Sequence, residues 1–203
     1  MKTILYNSSD IDIICEKLIS GEVISFPTDT VYGVGVIYDN FDALNALKKA
    51  KIRPEEKAIP TMVYDINSLK EVAALNENAL KIAKAFMPGP ITLVLPKRKE
   101  ISNFMTSGKD TIGVRIPNDD FILKLIEKCG KPILVSSANI SGGENCFTHN
   151  DVLKQLDGRI NGVVKGMAGG QMASTIIDMT SNTPVILREG KVSLEEILEV
   201  IKS

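Results

Sequence analysis

The sequence has no tryptophan, one histidine and three cysteines, and each shortage removes a class of chemistry. With His149 as the lone imidazole, a His-rich zinc site and most Ser-His-Asp triads have no support. Cys15, Cys129 and Cys146 are odd in number and show no CxxC spacing, so no disulfide framework and no metal-ligating cluster is indicated. Cys15 and Cys129 fall in apolar stretches that read as helix interiors, which suits buried thiols in a reducing cytoplasm. No run of about eighteen apolar residues exists to cross a membrane. The opening MKTILYNSSDIDII carries too short an apolar core for a signal peptide, so a cytoplasmic location without a membrane role is expected. Charge of one sign is also missing: 24 basic residues face 25 acidic ones, a net of −1. A polyanion partner would therefore need a local basic patch.

What is present is an ordinary globular composition, 44% hydrophobic and 24% charged over 203 residues, enough for one sizeable core. Strand-like and helix-like segments interleave. A helix capped by Ser9 or Asp10 closes at Gly21, and a strand follows over residues 22–26. A helical spacing of Phe41, Leu44 and Leu47 leads into a basic segment. AIPTMVY reads as a strand, Asn76 caps a helix that stops at Pro88, and ITLVLP and TIGVRIP are strands. Asn118 caps a helix ending at Gly130, PILVSSA is an apolar strand opening into serines, and a weak helix spans 150–156. GVVKG, STIIDMT and PVILRE are short strands, and Ser193 with Glu196 forms a capping box for a last helix. Successive strands without long crossovers imply antiparallel pairs. The predicted fold is a single α/β domain over residues 1–203, with an open, twisted, mixed parallel and antiparallel sheet and flanking helices.

Several segments carry candidate chemistry, each with a plainer alternative. ISFPTDTVYGVGV, from Ile24, breaks an apolar strand into Thr28, Asp29 and Thr30, which is either a tight turn or a ligand-facing loop. Gly33 and Gly35 follow a strand and precede a helix, but Tyr38 stands where a dinucleotide fingerprint needs its third glycine. KKAKIRPEEK places Lys48, Lys49, Lys51, Arg53 and Lys57 within residues 48–57, an anion site or a solvated face. Pro54 biases Arg53 towards an extended conformation, so Lys51 and Arg53 are expected to leave the helix and project on one side as a phosphate grip. In TIGVRIP, alternation puts Ile112, Val114 and Ile116 on one face and Thr111, Gly113, Arg115 and Pro117 on the other. That second face suits a small carboxylate, unless Arg115 sits on an edge in solvent. VSSANISGG gathers Ser136, Ser137, Asn139 and Ser141 at a strand end, a ligand site or a capped loop. No GxSxG elbow supports a serine nucleophile.

FPTDTVYGVG, KxRP, TIGVRIP, SSANISG, STIID and ILREG occur in this order from about Gly21 to Gly190, and together they resemble the YrdC/TsaC family of threonylcarbamoyl-AMP synthases, in its minimal single-domain form. The resemblance implies a YrdC-like fold and a nucleotidyltransferase that joins L-threonine, bicarbonate and ATP, releases pyrophosphate, and yields threonylcarbamoyl-AMP. It implies a TsaD-type transferase complex downstream, modification of tRNA position 37, magnesium as a companion ion, and contact with tRNA or double-stranded RNA. By motif, Lys51 and Arg53 would be the catalytic grip on the triphosphate. Lys57, Thr111, Ser137, Asn139, Thr148 and Arg188 would complete the ATP site, and Thr30, Arg115, Ser137 and Ser174 would hold threonine. The family often has a histidine where Met62 stands and a small polar residue where Lys57 stands. Asp29 receives no role. An alternative of another class is a non-catalytic RNA-binding protein of the same fold, like the YciO branch, although that branch lacks the KxR and SxN combination present here.

Overall fold

In the computed structural model, which describes residues 2–202, short capped helices alternate with short strands as the sequence pattern leads one to expect. Side-chain caps start most helices. Asn40 accepts from the Ala43 N–H to begin α2 (Phe41–Lys51), and Asn76 accepts from Ala79 to begin α4 (Glu77–Phe86). Asp119, one residue beyond the expected Asn118, accepts from Ile122 to begin α5 (Asp120–Cys129), because its carboxylate is the group that reaches the N3 amide. Gly130, at φ +62, closes α5 in the left-handed region. The remaining helices are α1 (Ile11–Ile19), α3 (Ile66–Val72), α6 (His149–Leu156) and α7 (Leu194–Lys202).

Ten strands form one sheet among the described residues: β1 (Ile4–Tyr6), β2 (Ile24–Phe26), β3 (Gly33–Ile37), β4 (Thr61–Met62), β5 (Ile91–Pro96), β6 (Thr111–Arg115), β7 (Ile133–Ser137), β8 (Gly162–Val164), β9 (Thr175–Asp178) and β10 (Val185–Arg188). Their order is β1-β8-β2-β3-β7-β4-β6-β5-β9-β10. β1 and β2 run parallel to β8, β4 to β6 and β5 to β9, while the other neighbours are antiparallel. The mixed α/β sheet is as expected. Two of its strands are not. β1 pairs with β8 from the polar N-terminus, and the glycine run is itself the central strand β3. A Cβ on Gly33 would come within 2.8 Å of Val135 Cγ1, and one on Gly35 within 2.8 Å of Leu134 O. These glycines therefore permit close packing within the sheet, and the dinucleotide alternative has no place here.

The two sheet faces are covered unequally, and this creates the site. One face is buried along most of its length. Val34, Val36 and Leu134 pack with Leu44, Leu47, Val152 and Leu156 from α2 and α6, while Leu93, Ile112, Val114 and Ile177 pack with Leu69, Ile82 and Ile197 from α3, α4 and α7. On the opposite face α1 and α5 cover Ile24, Phe26, Ile133 and Val135. Beyond Met62 no helix among the described residues continues over β6, β5 and β9, and there the sheet is the floor of a cavity. All three cysteines are buried and unbridged.

Candidate active site

The cavity has a volume of about 510 Å³, a size that suits one nucleotide-sized ligand set. Alternation along the strands supplies its floor: Thr111, Gly113 and Arg115 from β6, Thr92 and Val94 from β5, and Ile176 and Asp178 from β9. In register, Val94 faces both Gly113 and Asp178. The even-numbered residues of β6, Ile112 and Val114, lie in the core beneath. The walls come from Thr28 and Thr30 of the β2–β3 turn, Arg53 and residues 57–60 after α2, Ser136 and Ser137 at the end of β7, and Ala173, Ser174 and Arg188. Five cations and a single acid, Asp178, line it, so the space is built for anions.

At one end the polar groups are tightly organised. Arg115 is 4% exposed. It donates from Nη2 to both oxygens of Asp29 at 2.7 Å, from Nη1 to Thr30 Oγ1 at 3.0 Å and from Nε to Gly89 O at 3.0 Å. Burial pulls the Arg115 pKa below the ordinary arginine value, and the Asp29 charge opposes that shift. Arg188 donates to Ser174 O at 2.7 Å and to Ser174 Oγ at 3.1 Å, and Ser174 Oγ lies 2.9 Å from Thr92 Oγ1. Burial and then the neighbouring Arg115 charge lower its pKa. The β2–β3 turn is self-braced, since Thr28 Oγ1 donates to Val31 O at 2.7 Å and accepts from the Thr30 N–H at 3.2 Å.

The opposite end is basic without a compensating acid. Arg53 donates from Nε to Lys57 O at 3.0 Å and from Nη2 to Ala58 O at 2.7 Å, which curls the 53–58 loop so that Arg53 and Lys57 both face the cavity. Desolvation lowers the Arg53 pKa. Lys109 joins them on the wall. Lys48 holds the same loop from behind, donating to Glu55 O at 2.7 Å and to Ser107 Oγ at 3.0 Å, with Glu55 Oε2 at 3.1 Å.

Lys51 departs from the expected geometry. It remains the last residue of α2, the turn away from the helix being made by Ile52 at φ +51, and it does not line the cavity. At 1% exposure, its ammonium donates to Ser137 O and Asn139 O. The KxR and SxN motifs are thereby one unit, with Lys51 bracing the loop after β7 and Arg53 facing the ligand space. Asn139 Nδ2 donates to Ile140 O and Gly143 O, each at 2.8 Å, while its Oδ1 has no protein partner. Thr148 also stands off the cavity. Its hydroxyl caps α6, accepting from the Asp151 N–H at 3.2 Å and donating to Asp151 Oδ2 at 2.8 Å. Of the expected site residues, the structure brings Thr30, Arg53, Lys57, Thr111, Arg115, Ser137, Ser174 and Arg188 together around one space. Three further lining residues, Thr92, Asp178 and Lys109, lie outside the expected set. Thr92 and Asp178 were accessible by strand alternation, whereas nothing local marks Lys109.

Burial and the Arg53 charge pull the Lys51 pKa from 10.5 down to about 8. Between those values the unfolded chain binds the additional proton, so stability should rise with pH once pH passes about 8. Towards and above about 9 the buried Cys129 and Cys146 thiols, both pushed up by burial and Cys146 to about 11, act with the opposite sign. Denaturation midpoints at successive pH values should climb between about 8 and 9 in the wild type. That climb should be absent in Lys51→Arg, whose guanidinium does not titrate there, leaving only the thiols' downward trend towards pH 9.

The family model Sua5/YciO/YrdC, described as "Telomere recombination", matches residues 16–190. The chain belongs to this family. A threonylcarbamoyl-AMP synthase of Pyrococcus abyssi is 38% identical over 186 residues, covering 89% of this chain and 54% of that protein. A threonylcarbamoyl-AMP synthase of Photobacterium profundum is 35% identical over 181 residues, covering 87% of this chain and 97% of that protein. The crystal structure of P. abyssi Sua5 complexed with L-threonine superposes with a TM-score of 0.90 at 35% identity, covering 98% of this chain and 60% of that one. The chain spans about half the length of the first curated relatives it matches. Membership of the Sua5/YciO/YrdC family accords with the motif order from Gly21 to Gly190 and with the mixed sheet.

Proposed function

We propose that the chain is an L-threonylcarbamoyl-adenylate synthase, with residues 1–203 acting as one YrdC-like unit. The observation that carries this reading is a single cavity with two unlike cationic ends joined by a strand floor that carries Asp178 in the Gly113 row. Arg53, Lys57 and Lys109 form an end without acids, suited to a polyphosphate. Arg115, Thr30, Thr92 and Ser174 form a compact end with one internal counter-ion, suited to a small amino acid, and Arg188 borders it through Ser174. Relatives named threonylcarbamoyl-AMP synthase, and the structure of P. abyssi Sua5 complexed with L-threonine, support the assignment. In this reaction the threonine amine and bicarbonate give a carbamate and water. A carbamate oxygen then attacks the α-phosphorus of ATP and pyrophosphate leaves. No covalent protein intermediate is required, which fits a cavity whose work is positioning and charge stabilisation.

In this reading Thr30, Ser137, Ser174 and Arg115 hold threonine. Arg53, Lys57, Thr111 and Arg188 hold ATP directly, and Lys51, Asn139 and Thr148 shape the adjoining loop. Magnesium accompanying ATP would find one carboxylate on the wall, Asp178, and no group of three or more ligating side chains exists among the described residues. Phosphate oxygens would therefore supply most of its coordination. A TsaD-type transferase and tRNA would receive the product in the cytoplasm. The test is pyrophosphate release with each substrate omitted in turn. Release should require threonine and bicarbonate together, and ATP turnover that ignores the omission of threonine would sink the reading. The non-catalytic, YciO-like alternative predicts RNA affinity that falls steeply with salt, and no such turnover.

A further inference from the structure

Asp29 is the acidic residue of the β2–β3 turn that the synthase reading leaves without a role, and it is the ion-pair partner of Arg115. The Arg115 guanidinium is held from three segments, by Asp29 and Thr30 in the turn, by Gly89, and by its own strand β6. Arg115 and Thr30 face the cavity, whereas Asp29 stands behind them, off its lining. The backbone at Asp29 is itself pinned. Gly169 donates from its N–H to Thr28 O at 2.8 Å, and a Cβ on Gly170 would come within 2.8 Å of Asp29 O and 2.9 Å of Thr30 O. The connection between β8 and β9 thus lies flat on this turn, an approach that only glycine allows. Asp119 is the other carboxylate whose charge reaches Arg115, but it is spent on the Ile122 N–H at 3.0 Å as the cap of α5.

We propose that Asp29 is a positioning residue for amino-acid recognition, one that fixes the Arg115 guanidinium in its cavity-facing orientation and shields its charge so that it receives one carboxylate without trapping anions at large. This rests on reading that end of the cavity as the amino-acid site. Three fixed partners leave an Nη1 hydrogen of Arg115 directed by geometry rather than by side-chain rotation, which is how a buried guanidinium gains selectivity for a planar carboxylate. Loss of the Asp29 charge removes that constraint and leaves a desolvated cation, to which small inorganic anions then bind in competition with substrate.

The test uses Asp29→Asn, which preserves shape and removes charge, and three measurements. In ligand-free protein labelled at arginine nitrogen, magnetic resonance should resolve the Arg115 Nη hydrogens individually in the wild type and show them averaged by rotation in the variant. Calorimetry should show threonine affinity weakened by about tenfold to a hundredfold in the variant. Affinity for a non-hydrolysable ATP analogue should change by less than about threefold, because its cations lie on another segment. Added chloride should weaken threonine binding further in the variant and leave the wild type unaffected. Unchanged threonine affinity in a folded variant overturns the proposal. So do freely rotating Arg115 hydrogens in the wild type, a measurement that stands even if the variant does not fold. A wild type that binds no threonine overturns the synthase reading itself, which separates the two failures.

Discussion

Arg115→Ala is expected to lower folding stability by about 3–5 kcal/mol, because removing one member of a buried ion pair strands the other. Asp29 has a side-chain exposure of 12% and receives Arg115 at 2.7 Å on both oxygens. With the guanidinium gone, its carboxylate keeps the desolvation cost and loses the compensation. Gly89 O and Thr30 Oγ1 lose a donor in the same step. A double replacement, Asp29→Leu with Arg115→Met, should recover most of that stability, since apolar residues of similar volume can replace a buried pair at little net cost. It should not recover threonine binding. Urea denaturation of wild type, Asp29→Leu, Arg115→Met and the double variant forms the cycle that measures this. A single variant within about 0.5 kcal/mol of wild type would show the pair to be energetically idle. Threonine affinity in any folded fraction of Arg115→Ala should fall by on the order of 2–4 kcal/mol, whereas the ATP analogue should be little affected.

The pair that dominates this result shows where the sequence stops being legible. Alternation in TIGVRIP is local, and it sorted Thr111, Gly113 and Arg115 from Ile112 and Val114 correctly, because a strand's two faces follow from chain geometry alone. Helix ends were legible to within a residue wherever a cap or a glycine marks them, as at Asn76 and Gly130. Asp29 and Arg115 are separated by 86 positions, and nothing local to either announces the other. The same limit explains Lys51. Pro54 does restrict Arg53, but the left-handed turn is made at Ile52, so the lysine stays in α2 and finds acceptors 86 and 88 residues away. Gly33 and Gly35 read as loop because glycine disfavours strands, and tertiary packing against Phe26 and Val135 overrides that preference.

Gly113→Val is expected to abolish the proposed threonylcarbamoyl-adenylate formation while leaving the fold as stable as wild type or more so. The nearest atoms to a Cβ at this position belong to Pro60, at 3.6–3.7 Å, which is ordinary contact. Replacing glycine by a β-branched residue within a strand removes an entropic cost of roughly 0.5–1 kcal/mol. The branch must then project into the cavity, because Gly113 lies on its floor between Thr111 and Arg115. Those flanking residues are on the order of 13 Å apart along an extended strand. In the proposed reaction they stand at the nucleotide and amino-acid ends, so the carbamate and the α-phosphate must pass over Gly113. A valine there occupies the space where the new bond forms, and a displacement of about 1 Å is enough to cost about a hundredfold in rate. Gly33→Ala is the control with the opposite outcome. Its Cβ would meet Val135 Cγ1 at 2.8 Å, so stability should fall through overpacking, by about 1–3 kcal/mol. Thermal melts and pyrophosphate release on both variants check the contrast. A Gly113→Val protein that is folded and fully active would move the reacting atoms away from this floor, and with them the assignment of its two ends.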